Sequence, residues 1–158
     1  FSPWVVSGAL IIGGTAILAI ERAKKDHSIR TVEEMPVGKA LAIGVFQCLA
    51  MIPGTSRSAA TIMGALLMGM ERPAAAEFSF LLAIPTMFGA TFYDLYKNRH
   101  GVTSDGMKFV AVVFTVSFVV ALAVIKWLLR YVLQHNFSVF AGYRIVLGLA
   151  MLGILFAR

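Results

Sequence analysis

ALAIGVFQCLAMIPGTSRSAATIMGALLMGM, residues 40 to 70, is a run of thirty-one residues with a single charge, Arg57, and a Pro-Gly break at Pro53-Gly54. One helix of that length would measure about 46 Å, well beyond the ~30 Å hydrocarbon core of a bilayer, and Pro-Gly would interrupt it. Two complete spans need about forty residues. Ala40 to Ile52 and Ser58 to Met70 hold thirteen residues each, roughly 20 Å of helix, which suits two half-helices that enter and leave a membrane on the same side. The spacing therefore predicts a re-entrant helix pair, about 40–52 and 58–70, with Pro53 to Arg57 at its tip.

The flanking sequence supplies the membrane spans. Residues 1–20 carry no charge and are long enough to cross a bilayer. The following loop, Glu21 to Lys39, holds five positive and four negative residues, and Lys/Arg content assigns such a loop to the cytoplasm. Pro73 suits the first position of a span over about 74–96, with a bend expected at Pro85. A polar loop from Lys97 to Lys108 precedes a span over about 107–131, anchored by Lys126, Trp127, Arg130 and Tyr131. The last span covers about 137–157 and contains Arg144. The predicted architecture is all-α, a single transmembrane domain over 1–158 built as a polytopic helical bundle with one re-entrant pair.

Composition supports this layout. Of 158 residues, 59 % are hydrophobic and 14 % charged, against about 45–50 % and 25 % in soluble domains, and the mean hydropathy is +0.83. The formal net charge of +6 is dispersed rather than gathered into a stripe, so nucleic acid is not an expected partner; the membrane is. One cysteine, Cys48, excludes an internal disulfide framework. The chain opens Phe1-Ser2-Pro3, with neither Met nor a signal-peptide charge pattern, and is expected to be part of a longer protein.

PGTSRSAAT, residues 53 to 61, is where chemistry concentrates. An arginine at membrane depth is costly unless it meets an anion or a water-filled cavity. Around Arg57 stand the hydroxyls of Thr55, Ser56, Ser58 and Thr61, the small Gly54, and the N-terminus of the second half-helix. Guanidinium geometry matches two phosphate oxygens at once. The bland alternative is that Arg57 snorkels and the hydroxyls cap the helix, but its central place in the apolar run makes snorkelling a poor fit. Physics alone does not separate a phosphatase from a transporter or flippase half built on re-entrant helices, or from a non-catalytic membrane subunit.

PGTSRSAAT, together with EFSFLLAIPTMFGA from Glu77 to Ala90, closely resembles the second signature region of the undecaprenyl-diphosphate phosphatases, the bacitracin-resistance family of bacterial inner-membrane enzymes. The resemblance covers essentially the whole chain and corresponds to the C-terminal part of the family's fold. It implies hydrolysis of undecaprenyl diphosphate to undecaprenyl phosphate, which recycles the lipid carrier for cell-wall synthesis, and bacitracin resistance. It also implies half of an inverted-topology repeat, with an active site opening to the periplasm. By the same resemblance Ser56 and Arg57 are catalytic, Ser56 as nucleophile or phosphate ligand. Gly54, Thr55, Ser56, Arg57, Ser58 and Thr61 bind the diphosphate of a polyprenyl lipid. Ala59 stands where the motif more often has Gly. The family's glutamate-rich first signature has no counterpart here, since Glu33-Glu34 lie in a different context. The divalent metal it would bind, Mg or Ca, therefore has no expected ligands in this chain.

Other residues have blander readings. Glu77 suits a helix first turn. Arg144 is equally consistent with snorkelling and with a second phosphate or partner contact. His27, His100 and His135 are read as loop residues, Cys48 as packing, and Met63, Met68 and Met70 as core rather than as an isoprenoid groove. Gly8, Gly13, Gly14, Gly142, Gly148 and Gly153 allow close helix approach, either within the fold or between protomers of a homo-oligomer.

Overall fold

The computed structural model describes residues 2–23, 28–99 and 104–157, so His27 and His100 lie outside the described residues. The order of elements is α1 (Pro3–Arg22), α2 (Val37–Gln47) continued by a 3₁₀ turn (Cys48–Met51), α3 (Arg57–Leu67), α4 (Arg72–Lys97), α5 (Ser104–Gln134) and α6 (Ser138–Phe156). Among the described residues the only β-type pairing is a single bridge, Ile29 with Met70. Four helices, α1, α4, α5 and α6, are long and apolar enough to cross a membrane. The fold is an all-α, multi-pass membrane bundle.

α1 and α6 form the most extensive helix pair and run antiparallel. The Trp4 ring meets Phe156 edge-on at 4.9 Å at one end. Along the seam, a Cβ on Gly14 would stand 2.7 Å from Ile145 Cγ1 and 2.9 Å from the Ala141 carbonyl, and one on Gly148 would stand 2.7 Å from Ile11 Cγ1. In lipid, helix association depends on close van der Waals contact, which small residues permit. Gly8, Gly142 and Gly153 face open space instead.

The opposite end of that pair is tied to the rest of the bundle by charge. Arg72, the first residue of α4, donates from Nη2 to Glu21 Oε2 at 2.6 Å and from Nε to Oε1 at 3.0 Å. Glu21 Oε1 also accepts the Phe137 N–H at 3.0 Å, so one carboxylate, only 5 % exposed, joins α1, α4 and the entry to α6.

α2 and α3 form a short antiparallel hairpin whose two feet are held together, Lys39 Nζ donating to the Met68 carbonyl at 2.8 Å. The loop before α2 docks on the same feet: Ile29 N–H bonds Gly69 O, Glu71 N–H bonds Ile29 O, and Arg30 pairs with Glu71. Both feet therefore lie at the Glu21–Arg72 end. α3 has eleven residues, about 16 Å of helix, too short to cross a bilayer. It buries Ala60, Thr61, Met63, Gly64, Ala65 and Leu66.

α4 starts at Arg72, so Pro73 is its second residue rather than its first, and it continues unbroken through Pro85. Beyond Ala83 its apolar side chains face outward, as do those of α5 from Phe109 to Val124. Such surface suits hydrocarbon. α5 comprises thirty-one residues, about 46 Å, so it extends past the core thickness.

Candidate functional site

The hairpin tip sits deep in the bundle. Gly54 packs on Val6 and Ala9 of α1, and Val6 lies sixteen residues before Arg22, about 24 Å along the helix. A Cβ on Gly54 would stand 2.7 Å from the Val6 carbonyl, and its φ is +94°, so both contact and conformation call for glycine. Two residues on, Ser56 adopts φ +69°, the one positive φ among the described non-glycine residues.

Ser56 is the N-cap of α3. Its Oγ accepts the Ala59 N–H at a long 3.4 Å and lies 3.2 Å from Ser58 Oγ. Arg57 and Ser58 open the helix, where amides have no carbonyl one turn back and carry the positive end of the helix dipole. Arg57 donates from Nη1 to the Ser79 carbonyl on α4 at 3.4 Å, and its other N–H groups have no acceptor among the described residues. Its charge is thus steadied by α4 while most of its donors remain available.

Thr61 is differently placed. It is fully buried, and its hydroxyl lies 2.6 Å from Ser79 Oγ, 3.1 Å from Arg57 O and 3.0 Å from Ser58 O. This fastens α3 to α4 directly beneath the tip. The Thr55 carbonyl, with that of Gly54, accepts from Arg144 Nη2, both at 2.8 Å.

A cavity of about 310 Å³ runs along α3 from Ser56 to Leu66. Ser56, Ser58, Ser79 and Arg144 make it polar near the tip, whereas Ile17, Ile62, Met63, Leu128, Val132 and Phe137 make the remainder apolar. Gly54, Thr55, Arg57 and Thr61 stand around this wall rather than on it. The arrangement offers hydrogen-bond donors and positive charge to an anion, beside a space suited to hydrocarbon.

A family model described as bacitracin resistance protein BacA matches residues 1–150. The chain belongs to the BacA family. An undecaprenyl-diphosphatase of Sphingopyxis alaskensis is 56 % identical to this BacA-family chain over 147 residues, covering 93 % of the chain and 55 % of the relative. A protein of the same name from Sulfurihydrogenibium sp. is 50 % identical over 151 residues, 94 % of the chain and 60 % of the relative. Undecaprenyl-diphosphatase 2 of Rhodospirillum rubrum is 52 % identical over 152 residues, 96 % and 56 % respectively. The chain thus spans somewhat over half the length of these relatives.

Whether the BacA-family chain could hold a divalent ion is a question of ligands. Among the described residues no three His, Cys, Asp or Glu side chains come together. No carboxylate or imidazole of the described residues touches Ser56, and none lines the cavity. The residues described do not fit such an ion. His135 stacks on Tyr131 at a centroid distance of 4.3 Å, and Cys48 is exposed. Met63 lines the cavity, and Met70 is fully buried in the core.

Two participants were not legible as such. Ser79 is the one hydroxyl between Pro73 and Pro85, a signal visible in the sequence but without a partner to give it meaning. Arg144 stood out as a charge in an apolar span, yet its acceptors lie 89 and 90 positions away.

Proposed function

We propose that this chain supplies the phosphate-binding part of a membrane phosphatase that hydrolyses undecaprenyl diphosphate to undecaprenyl phosphate and inorganic phosphate, recycling the lipid carrier for cell-wall synthesis. The observation that carries this reading is that Ser56 and Ser58, at the N-terminus of α3 on either side of Arg57, line the polar end of an otherwise apolar cavity inside the bundle. A lipid diphosphate has that same division into anion and hydrocarbon. The relatives named undecaprenyl-diphosphatase support it.

In this reading Arg57 and the first amides of α3 neutralise charge on the phosphoryl oxygens, the main task of a protein in phosphoryl transfer. Ser56 is the nucleophile. Its positive φ places a reactive-type hydroxyl on a strained turn at a helix start, a conformation that surroundings must enforce and that concentrates at functional sites. Ser56 Oγ attacks the terminal phosphorus, the bridging P–O bond breaks, and undecaprenyl phosphate leaves. Water then cleaves the phosphoserine. The base that takes the serine proton lies outside the described residues. So do the ligands of the Mg or Ca ion that the family resemblance implies.

We further assign the protein to the bacterial inner membrane, with the Glu21–Arg72 end in the cytoplasm and the tip reached from the periplasm. Arg22, Arg30, Lys39, Arg72 and Arg130 all belong to the former end, in keeping with the positive-inside rule. The α2–α3 hairpin is then a re-entrant pair, and the chain one half of an inverted-topology repeat.

The test is phosphate release from a C55 isoprenyl diphosphate by the purified full-length protein. Wild type is expected to turn over, Ser56→Ala to lose turnover, and a phosphoserine to be trapped at residue 56. Substantial turnover in Ser56→Ala would transfer the attack to water. Movement of the lipid between vesicle leaflets without phosphate release would replace the phosphatase with a transporter.

A further inference from the structure

Ser56 is the strained point of the described backbone, and both peptide groups before it are gripped by one atom. Arg144 Nη2, on α6, donates to the Gly54 and Thr55 carbonyls at 2.8 Å each. The peptide group is planar, and no bond in the described chain is cis. Fixing the Thr55 carbonyl therefore fixes the plane it shares with the Ser56 N–H and turns that N–H away from the guanidinium. From the other side, Ala60 N–H bonds Ser56 O at 3.1 Å and Ala59 N–H reaches Ser56 Oγ. Ser56 is clamped between α6 and its own helix.

Arg144 is itself held for this role. It is only 9 % exposed, and its guanidinium lies over Gly13, where a Cβ would stand 2.7 Å from Nη2. Its Nε is buried with no partner among the described residues. A buried guanidinium with an unpaired donor is costly to retain for packing alone. The contacts it does make are charge-assisted bonds to the two carbonyls that set the tip.

We propose that Arg144 is a positioning residue for the phosphate site, enforcing the Gly54–Ser56 backbone so that the Ser56 hydroxyl and the first α3 amides meet the bound diphosphate. This rests on the reading of the tip as that site. In this role Arg144 acts through the loop, its Nη2 being engaged by the Gly54 and Thr55 carbonyls. Because one nitrogen makes both bonds, lysine, with three donors on a single nitrogen, can take over part of the work, whereas methionine cannot.

The experiment uses the full-length natural protein in detergent, with two readouts. For activity, R144M is expected to lower kcat roughly 10–100-fold with KM changed less than about threefold, and R144K to keep kcat within about tenfold of wild type, as suits a misplaced catalytic loop. For stability, Ser56→Gly is introduced with Arg144 present and with R144M. Glycine adopts φ +69° freely and caps a helix nearly as well as serine, so it relieves strain only while strain is enforced. Ser56→Gly is therefore expected to raise Tm when Arg144 is present, and to leave it unchanged or lower it in the R144M background. Equal Tm shifts in the two backgrounds would overturn the clamp, whatever the activity. An increased KM at constant kcat in R144M would also overturn it, as would loss of turnover in R144K matching that of R144M. Coupled Tm shifts in a wild type that releases no phosphate would support the clamp while removing the phosphatase reading beneath it.

Discussion

Arg57 and Ser56 differ in what surrounds them, and their variants should differ accordingly. Arg57 touches α4 through one bond to the Ser79 carbonyl, so Arg57→Ala is expected to abolish phosphate release while leaving the protein inserted and folded. Arg57→Lys should not restore it, because an ammonium cannot reproduce the planar two-oxygen grip. Near wild-type phosphate release by either variant would remove Arg57 from the mechanism. Thr61 belongs to a different class of residue, since its hydroxyl is consumed by Ser79. Thr61→Val leaves the Ser79 hydroxyl short of a partner in a buried site and should cost about 1–2 kcal/mol, seen as a lower Tm. The sequence placed Thr55, Ser56, Arg57, Ser58 and Thr61 together because such residue types are scarce in an apolar run. It could not apportion them. Residue type states which bonds a side chain is able to make, and the facing helix states which of them it makes.

At the scale of elements, the short α2–α3 hairpin and the α1–α6 pair set the depth and rigidity of the tip. Their lengths follow from local sequence: Pro53-Gly54 divides the apolar run, and charge-poor apolar stretches mark the long helices. Their ends are less legible. α2 begins at Val37, directly after its N-cap Pro36, and α4 at Arg72, three and two residues ahead of the expected starts, and in these first turns Lys39 bonds Met68 and Arg72 bonds Glu21. The α1–α6 seam depends on Gly14 and Gly148. Gly148→Leu is expected to force the helices apart at a cost of about 1–3 kcal/mol, lowering Tm and, by moving Arg144, reducing kcat. Gly142→Leu, at a position with no neighbour within 4 Å, should do neither. Comparable losses in both would separate the effect from this seam.

For the whole molecule, Glu21 and the central cavity determine how the helices serve one site. Glu21 holds Arg72 and the Phe137 N–H together, so Glu21→Ala strands a cation and an amide at a three-helix joint. With Arg72 partly exposed to solvent, the expected loss is about 2 kcal/mol in denaturation measurements, and an unchanged Tm would show that the joint contributes nothing. Filling the apolar part of the cavity with Ile62→Trp should raise KM for a C55 diphosphate and leave that for a short-chain diphosphate unaltered. An equal change for both would place the hydrocarbon chain elsewhere.

The sequence by itself determined residence in a membrane, the helical spans, the interrupted run at their centre and the cluster of hydroxyls around Arg57. Those properties depend on local composition and on chain length measured against bilayer thickness, and neither requires knowing which helices meet. The tertiary structure alone decided that Arg144 reaches the Gly54 and Thr55 carbonyls, that Thr61 belongs to Ser79, and that one buried carboxylate joins three helices. Each of these depends on how helices distant in sequence rotate and pack, and small residues such as Gly13 and Gly14 set that packing through shapes that become complementary only on contact.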